Sequence, residues 1–237
     1  MLTPPQNLAE NSRKLRDRIA AAAHAASRSV ESITVLAVSK GQPAESIASA
    51  ARIGYEHFGE NYAQEALEKI TALRRQELTW NFIGQLQANK TRVVAENFHW
   101  VHSVDRPKLA ERLAAQRPNY APPLQVCVQL RLGSEASKGG AIARDLPNLV
   151  SCIQSLPRLR LRGLMCMPPV ETAEAAQRRW FAQARASFEQ LNAGGAQLDV
   201  LSMGTSADLE AAVAEGATMV RIGTALFGPR AAATAQG

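Results

Sequence analysis

The sequence predicts a single (β/α)8 TIM barrel, and three observations predict it. Eight short apolar or β-branched runs recur along 237 residues, each followed by helical or turn sequence. Such alternation implies parallel strands joined by right-handed crossovers. The length suits eight units of this kind, for which ~250 residues is typical. An open doubly wound sheet is the alternative, but Lys40-Gly41-Gln42-Pro43 follows the first strand where a G-x-G-x-x-G would be needed.

The elements follow in order. Residues 7–28 carry Leu8, Leu15, Ile19, Ala22 and Ala26 at helical spacing, predicting an amphipathic N-terminal helix. Residues 33–39 are a compact β-type run, and Pro43 then opens a helix over 44–52. A second strand is predicted at 55–58 and a helix at 63–75. Further strands are expected at 79–83, 99–103, 124–130, 159–165, 198–201 and 219–222. Helices are expected between them at 88–96, 107–116, 141–155, 172–191 and 207–215. No linker or repeat interrupts the pattern, so one domain is placed at 1–230, with 231–237 as a flexible tail.

Composition removes several function classes. With 46% hydrophobic and 20% charged residues, wholesale disorder is excluded. No apolar run reaches the ~18 residues of a membrane span, and Met1-Leu2-Thr3-Pro4-Pro5 lacks a signal-peptide layout. A cytoplasmic protein without membrane contact is expected. The net charge of +6 sits on arginines interleaved with carboxylates on helix faces, which predicts solvated faces and no nucleic-acid stripe. Cys127, Cys152 and Cys166 are odd in number without C-x-x-C spacing, so packing is expected of them. His99 and His102, three apart on a strand, point to opposite faces, and no metal is predicted. The absence of an exposed amphipathic stripe predicts a monomer.

Barrel active sites lie at the C-terminal ends of the strands. That rule selects Lys40, Gly59-Glu60-Asn61-Tyr62, the loop 84–90, the loop 134–140, Met167-Pro168-Pro169, Ser202-Met203-Gly204-Thr205-Ser206 and Gly223-Thr224. The last two combine hydroxyls and glycine before predicted helix starts, which suits a phosphate dianion. Ordinary caps and turns would use the same residues. Lys40, one of only six lysines, ends an apolar strand. Its amine would enter the mouth, where desolvation favours the nucleophilic neutral form; a surface lysine is the alternative. Lysine and phosphate cup together suit pyridoxal 5′-phosphate (PLP) held as a Schiff base. Arg221, inside the apolar run Met219-Val220-Arg221-Ile222, would either donate to a pyridine nitrogen or pair with a barrel carboxylate such as Glu60. Lys90 and Lys138 read as solvated loop lysines. A PLP-free barrel for a sugar or nucleotide phosphate is a further reading.

Leu36-Ala37-Val38-Ser39-Lys40, Phe58-Gly59-Glu60-Asn61-Tyr62, Phe82-Ile83-Gly84, Leu86-Gln87, Asn89-Lys90, Arg160-Leu161-Arg162-Gly163-Leu164-Met165, Ser202-Met203-Gly204 and Met219-Val220-Arg221-Ile222-Gly223-Thr224 occur in that order. With them the chain closely resembles the pyridoxal phosphate homeostasis proteins, the YggS/PROSC family, from about Leu8 to Phe227. The resemblance implies a barrel like the N-terminal domain of alanine racemase, with PLP bound to Lys40. It implies that Ser202, Met203, Gly204, Thr205, Ser206, Gly223 and Thr224 form the phosphate loops, that Arg221 faces the pyridine nitrogen, and that Asn61 lines the pocket. The implied role is buffering and delivery of PLP, with transient contact to apo PLP-dependent enzymes, an influence on amino-acid and keto-acid balance, and no assigned catalytic residue. An amino-acid racemase is the alternative, against which stands the expectation of no second domain to supply a tyrosine. Asn81, Gln85, Arg131, Gly133, Thr205 and Ala207 depart from the family pattern.

Overall fold

The computed structural model describes residues 7–133 and 139–229. Lys138 and the tail at 231–237 lie outside the described residues. Eight strands form a closed, all-parallel barrel in sequence order: β1 Thr34–Val38, β2 His57–Glu60, β3 Thr79–Phe82, β4 Trp100–Val104, β5 Leu124–Leu130, β6 Leu159–Cys166, β7 Val200–Ser202 and β8 Met219–Ile222. The helices are α1 Leu8–Ala25, α2 Ala44–Arg52, α3 Ala63–Ala72, α4 Thr91–Asn97, α5 Pro107–Gln116, α6 Leu146–Ser155, α7 Glu174–Ala193, α8 Leu209–Ala214 and α9 Thr224–Phe227.

The predicted barrel forms, with boundaries that differ where packing overrides local signals. Strand two, expected to stop at Phe58, continues through Glu60, with Gly59 in register with Val38 and Asn81. Gly59 sits within the ladder where room for a side chain is tight, since Ile83 Cδ1 and Leu36 Cγ lie 3.1 and 3.3 Å from where its Cβ would stand. Strand seven ends at Ser202, paired with Met165 and Met219, so Ser202 belongs to the barrel wall and not to the loop. The helices expected at 88–96 and 141–155 both open as 3-10 turns, Ala88–Lys90 and Ala143–Asp145. Pro147 sits in the first turn of α6, where no intrahelical bond is lost.

Alternation along each strand sorts side chains between two cores. Leu36, Trp100, Cys127, Met165, Val200 and Met219 fill the barrel interior, with Ile83 against them. A larger cluster, including Ala37, Phe58, Val101, Val126 and Ile222, seals the barrel against its helices. Two-residue steps from the interior set lead to Lys40, Asn81, His102, Ser202 and Arg221. The polar chemistry therefore stands on the inward face. Cys127 and Cys166 are buried, whereas Cys152 is only partly so. Burial pushes the Cys127 and Cys166 thiols up to about 12, which leaves them inert.

Helix α1 braces the last two loops. Asn11 Nδ2 donates to Leu226 O at 3.1 Å, and Arg18 Nη2 donates to Ser206 O at 3.2 Å. Arg18 also makes a two-pronged pair with Glu210, at 2.9 and 3.0 Å. Among the described residues, no helix is long and apolar enough to cross a membrane.

Candidate functional site

At the C-terminal mouth a cavity of about 230 Å³ is lined by Lys40, Asn61, Thr205, Ser206, Arg221, Gly223 and Thr224, with Val38, Ile83, Met167 and Ala207 completing it. Sequence-selected residues from β1, β2, β7 and β8 thus meet in one place. Gly204 lines an adjoining chamber of about 310 Å³ beside Met167 and Pro168. Ser202 and Met203 line neither cavity, since both are fully buried. A larger groove of about 520 Å³, between α6 and α7, includes none of these residues.

Lys40 is half-buried, and the backbone on both sides of it is pinned. Ser39 Oγ donates to Glu60 Oε1 at 2.6 Å. Lys69 Nζ donates to Ser39 O at 2.8 Å, to Glu60 Oε1 at 2.8 Å and to Glu65 Oε1 at 2.6 Å. The same Glu65 oxygen accepts the Gly41 amide at 2.6 Å. Glu60 is wholly buried and its Oε2 has no partner. Burial raises its pKa, against the pull of Lys69 and Ser39. Sequence reading missed this support. Its only visible trace was Glu65 and Lys69 at i,i+4 spacing in a lysine-poor chain.

Arg221 is 5% exposed. Its Nη1 donates to Ser202 O at 2.7 Å and to Ser202 Oγ at 3.1 Å, and its Nη2 donates to Cys166 O at 2.8 Å. The alternative pairing with Glu60 does not form. Glu60 stands one residue out of phase with the inward-facing Gly59 and turns toward Lys69 of α3. Among the described residues Arg221 has no ion-pair partner, and burial lowers its pKa. The guanidinium has five N–H groups, so Nε–H and one Nη2–H remain for a ligand.

The Ser202 hydroxyl is engaged inside the barrel, beneath the cavity. Besides meeting Arg221, it lies 3.2 Å from His102 Nδ1. His102 Nε2 lies 3.2 Å from Asn81 Oδ1, and Asn81 Nδ2 donates to Thr79 O at 2.9 Å and Phe58 O at 3.3 Å. Complete burial lowers the His102 pKa to about 3, with Arg221 adding repulsion. Met203 packs in the outer core. Gly204 adopts φ +90°, and a Cβ there would collide with Ala212. The Thr205 amide and hydroxyl both donate to Asp208 Oδ1, at 2.6 and 2.8 Å. Ser206 Oγ accepts the Ala225 amide at 3.3 Å, tying the seventh loop to α9. Asn61 Oδ1 is buried without a partner. An amine, an uncompensated guanidinium and a hydroxyl-bearing double loop together suit an anionic carbonyl compound.

The family model described as alanine racemase, N-terminal domain, matches residues 5–231. A protein of Pseudomonas aeruginosa named pyridoxal phosphate homeostasis protein is 53% identical over 223 residues, covering 94% of this chain and 96% of the relative. The Escherichia coli protein of the same name is 47% identical over 227 residues, covering 94% and 97%. PipY of Synechococcus elongatus, solved with PLP bound, superposes with a TM-score of 0.82 at 38% identity, over 93% of this chain and 100% of that one. Alanine racemase of Corynebacterium glutamicum, at 16% identity and a TM-score of 0.72, shares the fold over 98% of this chain and 63% of its own.

Proposed function

Because this chain belongs to the pyridoxal phosphate homeostasis proteins, built on the alanine racemase N-terminal domain, we propose that it binds PLP in the mouth cavity and serves to hold and release it. The observation that carries the reading is Arg221, a buried guanidinium without a carboxylate partner among the described residues, facing the same cavity as Lys40. An unpaired buried charge costs several kcal/mol, and an anionic ligand offsets that cost. The unpartnered Asn61 Oδ1 fits a ligand that brings its own donor.

Bound PLP supplies an aldehyde, a pyridine ring and a phosphate. Lys40, on a backbone that Lys69 and Glu65 hold still, would provide the amine for the aldehyde carbon, with loss of water. Arg221, with N–H groups left over and a charge it keeps, would donate to the ring nitrogen, which would then serve as an acceptor. Ser206, Gly223 and Thr224 line the end of the cavity that would take the phosphate. Thr205 and Gly204 shape that loop, through Asp208 and through the left-handed turn.

Purified protein is expected to show a visible absorbance band that Lys40→Ala lacks, and D- and L-amino acids are expected to keep their chirality in its presence. A colourless wild type that takes up no added PLP would refute the reading. Racemised amino acids would replace a carrier with an enzyme.

The same reading has a cytoplasmic monomer pass PLP transiently to apo-enzymes. Tyr62, Met167 and Val170 support a transient contact, being exposed large apolar residues in the mouth loops. Light scattering is expected to give one species near 25.5 kDa; a stable dimer would contradict it. Mixing with an apo PLP enzyme while free PLP is trapped tests the hand-over, and no transfer would refute it.

A further inference from the structure

The interior hydrogen bonds that end on Arg221 have a fixed direction. Asn81 Nδ2 gives its protons to the carbonyls of Thr79 and Phe58, so Asn81 Oδ1 faces His102 as an acceptor. His102 therefore presents Nε2–H to Asn81 and leaves Nδ1 as an acceptor. Ser202 Oγ already accepts from Arg221 Nη1, and its single proton goes to His102 Nδ1. The chain runs Arg221 to Ser202 to His102 to Asn81 and ends on backbone carbonyls of β2 and β3. All four side chains are buried, and the Ser202, His102 and Asn81 donors each have an acceptor, leaving only the two Arg221 N–H groups that face the cavity.

This pattern requires a neutral imidazole. An imidazolium would aim a second donor at Ser202, leave the serine proton without an acceptor and place another cation near Arg221. Burial, which holds the His102 pKa at about 3, agrees with that assignment. The chain also contains no carboxylate. It can orient Arg221 without neutralising it, which a site for an anionic ligand requires.

Resting on the PLP reading above, we propose that His102 and Asn81 are positioning residues for the cofactor site: through Ser202 they hold the Arg221 guanidinium so that its two remaining N–H groups face the ring nitrogen of PLP. The connection crosses the barrel from β8 through β7 and β4 to β3, joining the cofactor contact to strands that carry neither Lys40 nor the phosphate loops. Without it, the Ser202 hydroxyl turns freely and one of the Arg221 anchors is lost.

The test uses the full chain with PLP restored, comparing wild type, Ser202→Ala, His102→Leu, His102→Gln and the double variant Ser202→Ala/His102→Leu. Release of PLP is expected to quicken about tenfold in Ser202→Ala and in His102→Leu, the loss of one hydrogen bond to a charged group. The double variant should release no faster than either single one, because both break the same chain. His102→Gln should restore slow release, since a carboxamide offers one acceptor and one donor. The visible band should shift in both single variants, which a purely structural role would not cause. In protein without PLP, nitrogen NMR should show His102 neutral with the proton on Nε2 from pH 5 to 8. Wild-type release in Ser202→Ala, or a proton on Nδ1, would overturn the proposal while leaving PLP binding intact. That arm needs no His102 variant to fold. A wild type that binds no PLP at all would instead overturn the reading beneath it.

Discussion

Arg221→Ala is expected to lose PLP, weakening retention by about 30-fold to several thousand-fold. The estimate follows from the ~2–5 kcal/mol cost of truncating one member of a buried charge-assisted contact. The wild-type guanidinium is held by Ser202 O and Cys166 O with no carboxylate partner among the described residues, so much of its charge is available to a bound anion. Lys90→Ala, at an exposed lysine of the third mouth loop, should change retention little, because solvent screens that charge. Equilibrium dialysis against PLP measures both. Thermal unfolding gives an independent reading: ligand at a hundredfold excess over its dissociation constant adds ~2.7 kcal/mol of stability. Added PLP should therefore raise the wild-type midpoint and leave that of Arg221→Ala nearly unmoved. Equal retention by the two variants would contradict the role given to Arg221.

Lys69→Met should be the most destabilising single change in the support of Lys40, costing ~3–5 kcal/mol at pH 7, because it strands a buried carboxylate. Lys69 is the only ion-pair partner of Glu60 among the described residues, and Glu60 is wholly buried. The pH dependence has a definite sign. Burial raises the folded-state pKa of Glu60 above its ordinary 4.5. The folded state thus binds this proton more tightly than the unfolded state. The associated stability is present at acid pH and is lost as pH rises through the raised value. Removing Lys69 lifts that value further and widens the window. The deficit of Lys69→Met should be largest at neutral pH and should shrink toward pH 5. Urea unfolding at the two pH values checks this, and an equal deficit at both would contradict it. Because Lys69 also holds Ser39 O, the variant should bind PLP more slowly even where it remains folded.

Much of the barrel and of its mouth is legible in the amino-acid order. Strand-forming runs, helix openings and the two-residue alternation are local properties, set by backbone sterics and by which side chains avoid water. They suffice to count eight strands, to end the first at Lys40, and to place Arg221 within the last. Both residues line the mouth cavity, as do Asn61, Ser206 and Thr224. The limit of local reading shows at Ser202. The local pattern ends the seventh strand at Leu201, and only pairing with Met165 and Met219 extends the wall to Ser202. Glu60 shows the same limit, because the extra length of β2 decides that it faces Lys69 and not Arg221.

By itself, then, the sequence determined the fold class and the lysine, arginine and loop residues that meet at the mouth. Only the tertiary structure decided which polar groups satisfy one another. His102 and Ser202 lie 100 positions apart yet share a hydrogen bond. Barrel closure sets that contact, through the stagger between β4 and β7, and neither strand encodes the stagger alone. Burial then forces each enclosed donor to find an acceptor. The supports beneath Lys40 and Arg221 follow from strand register and exclusion of water, which exist only once the barrel has closed.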